Sequence, residues 1–155
     1  QFHLIPHLTA LGNVSTALLY RDLTKPEIHE RSLNALNMVG LAERFDHRPI
    51  EMSGGEQQRV AIARALVTDP LMILADEPTG ALDTKTAKIV LDIFKNLQNE
   101  NRAIVLGTHD LEIAEQMDRV VSMRDGKIIA DDLRSERTDS LEDRFWETGK
   151  GGKLE

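Results

Sequence analysis

Two continuous apolar runs, Leu71 to Ala75 and Ala103 to Leu106, flank an amphipathic stretch of helical spacing from about Thr84 to Gln98. Each run has the length of a β-strand, and the lack of polar alternation is typical of parallel strands buried on both faces. Strands and helices that alternate along a chain favour a parallel sheet with helices packed on it. The pattern therefore predicts the second half of a doubly wound α/β core.

Three helical patterns precede this core. Apolar residues from Leu8 to Leu18 follow helical spacing, and Thr24 begins a second pattern with the spacing of a capping box. Gly40 stands where a C-terminal glycine would end that second helix. Ser53 and Glu56 repeat the S-x-x-E spacing at the start of a third. We expect a helical subdomain ahead of the sheet.

The region after the second apolar run predicts a short helix near Leu111 to Gln116 and then a hairpin. Asp-Gly within Arg124-Asp125-Gly126 is a strong turn signal between two short strands. A charged tail follows, with a short amphipathic helix expected around Leu141, Phe145 and Trp146. We divide the chain into a helical part, residues 1–68, a core half, residues 69–130, and the charged tail, residues 131–155.

Composition excludes several classes of function. The chain has no cysteine, so thiol catalysis, disulfides and thiolate metal sites are ruled out. The net charge of −7 argues against a protein that coats nucleic acid, and we expect no nucleic-acid partner. No apolar run approaches the roughly 20 residues that span a bilayer. A transport function would therefore require a membrane partner.

The first apolar run closes on two carboxylates, Asp76 and Glu77. The carboxyl ends of parallel strands are where α/β sheets place their chemistry. A carboxylate there can hold Mg²⁺ through water, and its neighbour can orient or deprotonate a water that attacks a phosphoryl group. Taken alone, Asp76-Glu77-Pro78 is more often simply the end of a strand.

The stretch Ser53-Gly54-Gly55-Glu56-Gln57 opens the third helix. Two glycines at a helix start leave the backbone N–H groups open, and the positive end of the helix dipole favours phosphate. The alternative is an ordinary N-cap in which Glu56 completes the capping box. The sequence leaves open whether Ser53 can cap its own helix and also hold a phosphate.

Two further positions follow the strands. His109 comes after the second apolar run and can donate to a phosphate, although a lone histidine is more often a surface residue. The loop Gly80-Ala81-Leu82-Asp83 follows the carboxylates, and Asp83 is expected to cap the next helix whatever else it does. The sequence thus predicts two carboxylates and an imidazole along one edge of one sheet.

The order and spacing of these motifs resemble those of the ABC transporter ATPases. Met52 to Leu66 resembles their signature motif, and Leu71 to Pro78 their Walker B strand. Gly80 to Asp83 resembles the D-loop, Thr108-His109-Asp110 resembles the H-switch, and Gln1 falls at the place of the Q-loop glutamine. The resemblance covers about residues 1–130. It implies a P-loop NTPase-like fold, with a helical subdomain and the C-terminal half of a RecA-like core.

The resemblance also implies roles. ATP and Mg²⁺ would be the cofactors, with Asp76 and Gln1 at the metal and Glu77 and His109 in catalysis. Two subunits, identical or paired, would sandwich ATP in a head-to-tail dimer that drives a transmembrane permease from the cytoplasmic face of the inner or plasma membrane. The residues expected at the nucleotide and at the dimer interface are Gln1, Ser53, Gly54, Gly55, Glu56, Gln57 and Asp83.

Within the family, the sequences from Leu8 to Val14 and from Asp76 to Asp83 are similar to those of the lipoprotein-releasing and macrolide-export type. That similarity implies an exporter that works on envelope lipoproteins or drugs. Gly12 and Glu56 depart from the common pattern, in which glutamate and glutamine are usual. Neither departure removes a group that the implied chemistry requires.

The larger departure is that no G-x-x-x-x-G-K-[ST] occurs in these residues. We expect the phosphate-binding P-loop to belong to a segment ahead of Gln1, and the chain by itself to bind ATP poorly and to expose apolar surface. Two alternatives remain at this point. One is a soluble ABC-type ATPase of DNA repair or translation, and the other is a non-enzymatic half-domain that docks on a partner.

Overall fold

The computed structural model describes residues 2–80, 82–98, 102–136 and 141. The fold divides into two compact units, one ending at Gly107 and the other beginning at Thr108. The first unit contains the helical part and a parallel pair of strands. The second contains a short helix and an antiparallel hairpin.

The helical part contains α1 (Ala10–Ser15), α2 (Lys25–Met38) and α3 (Gly54–Leu66). A 3-10 turn, Thr16–Leu18, continues α1, so the predicted first helix consists of an α-helical part followed by a 3-10 part. The capping box predicted at Thr24 is confirmed. Gly40 follows α2 with a φ of 70°, the left-handed backbone that glycine adopts without strain.

These helices bury a shared apolar core. Val14, Leu36 and Val60 are fully buried, one on each helix, and Leu18 and Val39 are about as deeply buried. Burying one such side chain stabilises the fold by roughly 1.5–3 kcal/mol. The core therefore holds α3, which carries the predicted phosphate-binding residues, against α1 and α2.

The parallel strands β1 (Met72–Asp76) and β2 (Ala103–Gly107) are connected through α4 (Thr84–Gln98). The register pairs Met72 with Ala103 and Asp76 with Gly107, so both strands end level with each other. Val90 and Phe94 of α4 share the apolar core with Ile73 of β1. The predicted strand–helix–strand order is confirmed.

The prediction that these strands are buried on both faces was wrong for one face. Ile73 is buried, but the exposed fractions of Met72, Leu74 and Val105 are 56%, 74% and 50%. Side chains alternate across a strand, so alternate residues of β1 and β2 point away from α4. No element among the described residues covers this outer face, and the expected exposure of apolar surface is present here.

The second unit contains α5 (Leu111–Glu115), β3 (Arg119–Arg124) and β4 (Lys127–Leu133), followed by a 3-10 turn, Arg134–Glu136. The strands β3 and β4 pair antiparallel, as predicted. Asp125 and Gly126 have φ values of 50° and 75°, the backbone of a type I′ turn. Phe145 and Trp146 of the predicted tail helix lie outside the described residues.

Candidate functional site

Ser53 is the N-cap of α3, and its hydrogen bonds form a reciprocal pair with Glu56. The Glu56 N–H donates to Ser53 Oγ at 3.3 Å, and the Ser53 N–H donates to Glu56 Oε2 at 2.8 Å. The predicted capping box is confirmed. A hydroxyl has one proton and two lone pairs, so Ser53 Oγ can accept the capping bond and still donate to an anion. The two interpretations that the sequence left open are therefore compatible.

The two glycines of α3 serve different purposes. Nothing lies within 4 Å of a Cβ placed on Gly54, so its backbone is open to an approaching group. A Cβ on Gly55 would overlap the methyl group of Thr86 in α4. The N–H groups of both glycines lie in the first turn, where an α-helix provides them with no partner. Gly54 thus leaves an open surface, whereas Gly55 also allows α4 to pack closely.

Glu56 is held by charge as well as by the cap. Arg44 Nε lies 3.3 Å from Glu56 Oε1. The backbone N–H of Ser53 holds the pKa of the Glu56 carboxyl below its ordinary value, and the Arg44 guanidinium contributes in the same direction. A carboxylate cannot donate to a phosphate, so Glu56 acts here by fixing Ser53.

Gln57 also supports the helix start. Its Nε2 donates to the carbonyls of Pro49 at 2.9 Å and Met52 at 3.1 Å. An amide nitrogen carries two protons, so both are used in this arrangement. Gln57 therefore anchors the loop that leads into α3, and the groups able to donate to an anion are those of Ser53, Gly54 and Gly55.

Asp76 ends β1 on the exposed face of the sheet. Its Oδ1 lies 3.2 Å from the position that a Cβ on Gly107 would occupy. A Cβ at 107 would be in tight contact with the carboxylate, so Gly107 is a candidate site position that sequence reasoning missed. A glycine at the end of an apolar run can signal a close approach of the backbone. Only the strand register shows that Gly107 lies beside Asp76.

Glu77 has a left-handed backbone, with a φ of 43°. Its N–H donates to the Gly107 carbonyl at 2.8 Å, and its carbonyl accepts the Gly80 N–H at 3.2 Å. A left-handed non-glycine residue costs about 1–2 kcal/mol and persists only where its surroundings hold it. The bonds to β2 and to the following turn thus fix the direction in which the Glu77 carboxylate leaves the strand.

Asp83 caps α4, as predicted. Its Oδ1 accepts the N–H groups of Lys85 and Thr86, both at 3.1 Å, and its Oδ2 accepts the Thr86 hydroxyl at 2.7 Å. The Thr86 hydroxyl holds the pKa of Asp83 below its ordinary value. Thr86 therefore links two of the predicted motifs, since its methyl group contacts Gly55 and its hydroxyl contacts Asp83. Nothing in the sequence pointed to Thr86.

His109 lies in the second unit, where it is exposed. Asp110, beside it, caps α5 by accepting the Glu112 N–H at 2.9 Å. Gln1 lies outside the described residues.

Among residues 2–80, 82–98, 102–136 and 141, no cluster of three or more histidine or carboxylate side chains could hold a metal ion. The single exposed carboxylate of Asp76 suits Mg²⁺, which keeps most of its water ligands.

Residues 1–80 match the ABC transporter family. The ABC transporter ATP-binding protein YvrO of Bacillus subtilis is 49% identical over 131 residues, which are 84% of this chain and 57% of YvrO. A macrolide export ATP-binding/permease protein, MacB, of Yersinia pestis is 47% identical over 84% of this chain and 19% of its own length. The chain thus spans a little over half the length of YvrO.

A solved structure is similar in fold. It is the dimeric post-hydrolysis state of an ATP-binding cassette bound to ADP and Pi, with a TM-score of 0.76 and 43% identity. The match covers 86% of this chain and 60% of that one. Within the described part of this chain, none of the helices has the length and apolar character needed to cross a membrane.

Proposed function

The chain belongs to the ABC transporter family, and we propose that it forms part of an ATP-hydrolysing subunit that powers transport. The observation that carries the proposal is the pair Asp76 and Glu77 at the end of β1, with Glu77 held left-handed against Gly107. Two adjacent carboxylates at the carboxyl end of a parallel strand, one of them on a residue with a strained backbone, suit the attack of water on a phosphoryl group.

Each residue then has a role. Asp76 would hold Mg²⁺ through water, where the ion would supply positive charge to offset the negative charge of the phosphates. Glu77 orients the attacking water and accepts its proton. His109 would donate to the γ-phosphate, and Gln1 would link the metal site to the surface that faces the transporter. These assignments rest on the match of the motifs to the family and on the geometry at the end of β1.

Hydrolysis requires two subunits in this proposal. Ser53 Oγ and the N–H groups of Gly54 and Gly55 bind the γ-phosphate of a nucleotide on the opposite subunit, and Asp83 reaches across the same interface. The solved relative is a dimer bound to ADP and Pi, which supports the assembly of two such subunits. Open N–H groups and the dipole of α3 make the helix start suitable for that contact.

We place the subunit at the cytoplasmic face of the membrane, with a transmembrane permease as its partner. Its macrolide export relatives are ATP-binding/permease proteins, and the likeness to them favours an export or envelope-lipoprotein type of transport. The curated relatives are transporter proteins, which favours this over a soluble ATPase of DNA repair or translation.

The test is ATP hydrolysis by the protein as its gene encodes it, measured as magnesium-dependent phosphate release. Glu77→Gln should lower the rate by about 10²–10⁴-fold, the usual contribution of a general base. The variant should also form an ATP-dependent dimer visible by light scattering, because bound ATP is no longer consumed. Glu30→Gln, on the exposed side of α2, is the control. Equal rates for Glu77→Gln and wild type would overturn the proposal.

A further inference from the structure

Arg64, in the last turn of α3, holds a distant segment of the chain. Its Nη1 donates to the carbonyl of His3 at 2.8 Å, and its Nη2 donates to the carbonyl of Phe2 at 3.1 Å. The planar guanidinium presents these donors in a fixed fork, so one side chain can bond two neighbouring carbonyls at once. The contact joins the helix that starts at Ser53 to the residues that follow Gln1.

The backbone that Arg64 holds is strained. Phe2 and His3 have φ values of 60° and 50°, and two consecutive left-handed residues with large side chains are rare. Such a conformation persists only where other contacts fix it. The guanidinium bonds to both carbonyls and provides that constraint.

The same segment is fixed at its other end by α1. Asn13 is fully buried, and its Oδ1 accepts the Ile5 N–H at 2.7 Å. Its Nδ2 donates to the carbonyls of Ile5 at 3.1 Å and Thr9 at 3.0 Å. Residues 2–9 are therefore attached to α3 at one end and to α1 at the other. Of these two attachments, only Arg64 connects the segment directly to the helix that carries Ser53.

We propose that Arg64 is a positioning residue that fixes the segment following Gln1 to α3. The start of α3 and this segment then move as one body, because an α-helix transmits displacement along its axis with little bending. The consequence for transport rests on the proposed function. Binding of phosphate at Ser53 would shift the segment that faces the transporter. Arg64 itself touches neither nucleotide nor metal in this scheme.

A simpler role for Arg64 would be to stabilise the C-terminal end of α3 by its positive charge. Arg64→Lys separates the two roles, since lysine keeps the charge but cannot form the fork. The experiment is hydrogen exchange of the amides in residues 2–9 for wild type, Arg64→Lys and Arg64→Ala. Arg31→Ala, an exposed arginine on α2, is the matched control.

Exchange in residues 2–9 should rise by about tenfold or more in Arg64→Ala, as expected when charge-assisted bonds are lost. Arg64→Lys should also exchange faster than wild type in this segment. Slow exchange around Val60, inside α3, should be retained in both variants. If the amides of residues 2–9 exchanged as slowly in Arg64→Lys as in wild type, the proposal would be overturned. The charge at the helix end would then explain the role of Arg64.

Activity provides the second readout, in the protein as its gene encodes it. Arg64→Lys should lower kcat about tenfold and leave the KM for ATP within about twofold, because the residue acts on coupling and not on nucleotide contact. An unchanged kcat would contradict the coupling. If the wild-type protein hydrolysed no ATP, the proposed function would fail, whereas the exchange experiment would still decide whether Arg64 fixes the segment.

Discussion

The start of α3 and the end of β1 both present groups suited to phosphate chemistry, but they are held in place differently. At α3, Ser53 and Glu56 bond each other within one helical turn, and Ser53 has an ordinary extended backbone with φ −64° and ψ 162°. At β1, Glu77 has a left-handed backbone that is held by Gly107 on the neighbouring strand. The first site is therefore relaxed and local, and the second is strained and depends on tertiary structure.

The difference predicts different consequences of substitution. Changes to Ser53, Gly55 or Glu56 at the start of α3 should alter stability, because the contacts of these residues belong to the helix cap and to helix packing. Changes beside Asp76 and Glu77 should alter activity more than stability, because they displace carboxylates without removing core contacts. Four sets of substitutions test this contrast, in decreasing order of effect.

Gly55→Ala should have the largest effect on stability. Its Cβ would overlap the Thr86 methyl group, and overpacking of this kind costs about 1–3 kcal/mol. The free energy of unfolding can be measured by urea denaturation followed by circular dichroism. Adding Thr86→Ser removes the methyl but keeps the hydroxyl that bonds Asp83, so the double variant should regain most of the loss.

Gly54→Ala is the matched control for that experiment. Nothing lies within 4 Å of a Cβ at this position, so its free energy of unfolding should stay close to the wild-type value. Equal losses at the two glycines, or no recovery with Thr86→Ser, would contradict the close packing of α4 against α3.

Gly107→Ala should lower ATP hydrolysis by about tenfold, with a raised requirement for magnesium, because residues that orient metal ligands typically contribute this much. The new Cβ would lie 3.2 Å from Asp76 Oδ1, so the carboxylate would have to shift by a few tenths of an ångström. The free energy of unfolding should change little. Val105→Ala, on the same exposed face of β2, is the control. Unchanged hydrolysis in Gly107→Ala would show that the carboxylate tolerates the crowding.

Ser53→Ala should destabilise the chain by about 1 kcal/mol, the usual cost of losing an N-cap side chain. Ser53→Thr keeps the hydroxyl and should retain most of the wild-type free energy of unfolding. Thermal or urea unfolding at neutral pH measures both. If alanine and threonine were equally stable, the capping bond between Ser53 Oγ and the Glu56 N–H would have no energetic role.

Glu56→Gln should have the smallest effect, about 0.5–1 kcal/mol at pH 7, and the effect should depend on pH. The pKa of Glu56 is lower in the folded state than in the unfolded chain. Its charged form therefore stabilises the fold above the unfolded pKa of about 4.3, and this contribution is lost as pH falls through the folded pKa.

Urea midpoints of wild type and Glu56→Gln should thus differ at pH 7 and converge near pH 3. Glu43→Gln, a neighbouring exposed carboxylate, is the control. A difference that stays constant from pH 7 to pH 3 would show that the charge of Glu56, and with it the pairing to Arg44, adds nothing.

Helix starts and turns could be predicted because their signals are local. The capping boxes at Thr24 and Ser53 and the Asp125-Gly126 turn each depend on residues a few positions apart, and all three are present. The order of strand, helix and strand followed from apolar runs and periodicity. The exposed face of β1 and β2 was missed, since an apolar run indicates burial but not which element provides it.

The residue pattern alone indicates which residues are candidates for the chemistry, because a carboxylate at a strand end or a glycine at a helix start can be recognised from single positions in the chain. How these residues are held became visible only in the packed fold. Gly107 lies beside Asp76 through strand register, and Thr86 joins Gly55 to Asp83 through helix packing. Arg64 reaches the carbonyls of Phe2 and His3 across the fold. The physical reason is that contacts between residues far apart in the chain depend on how whole elements pack, and local residue patterns carry little information about that packing.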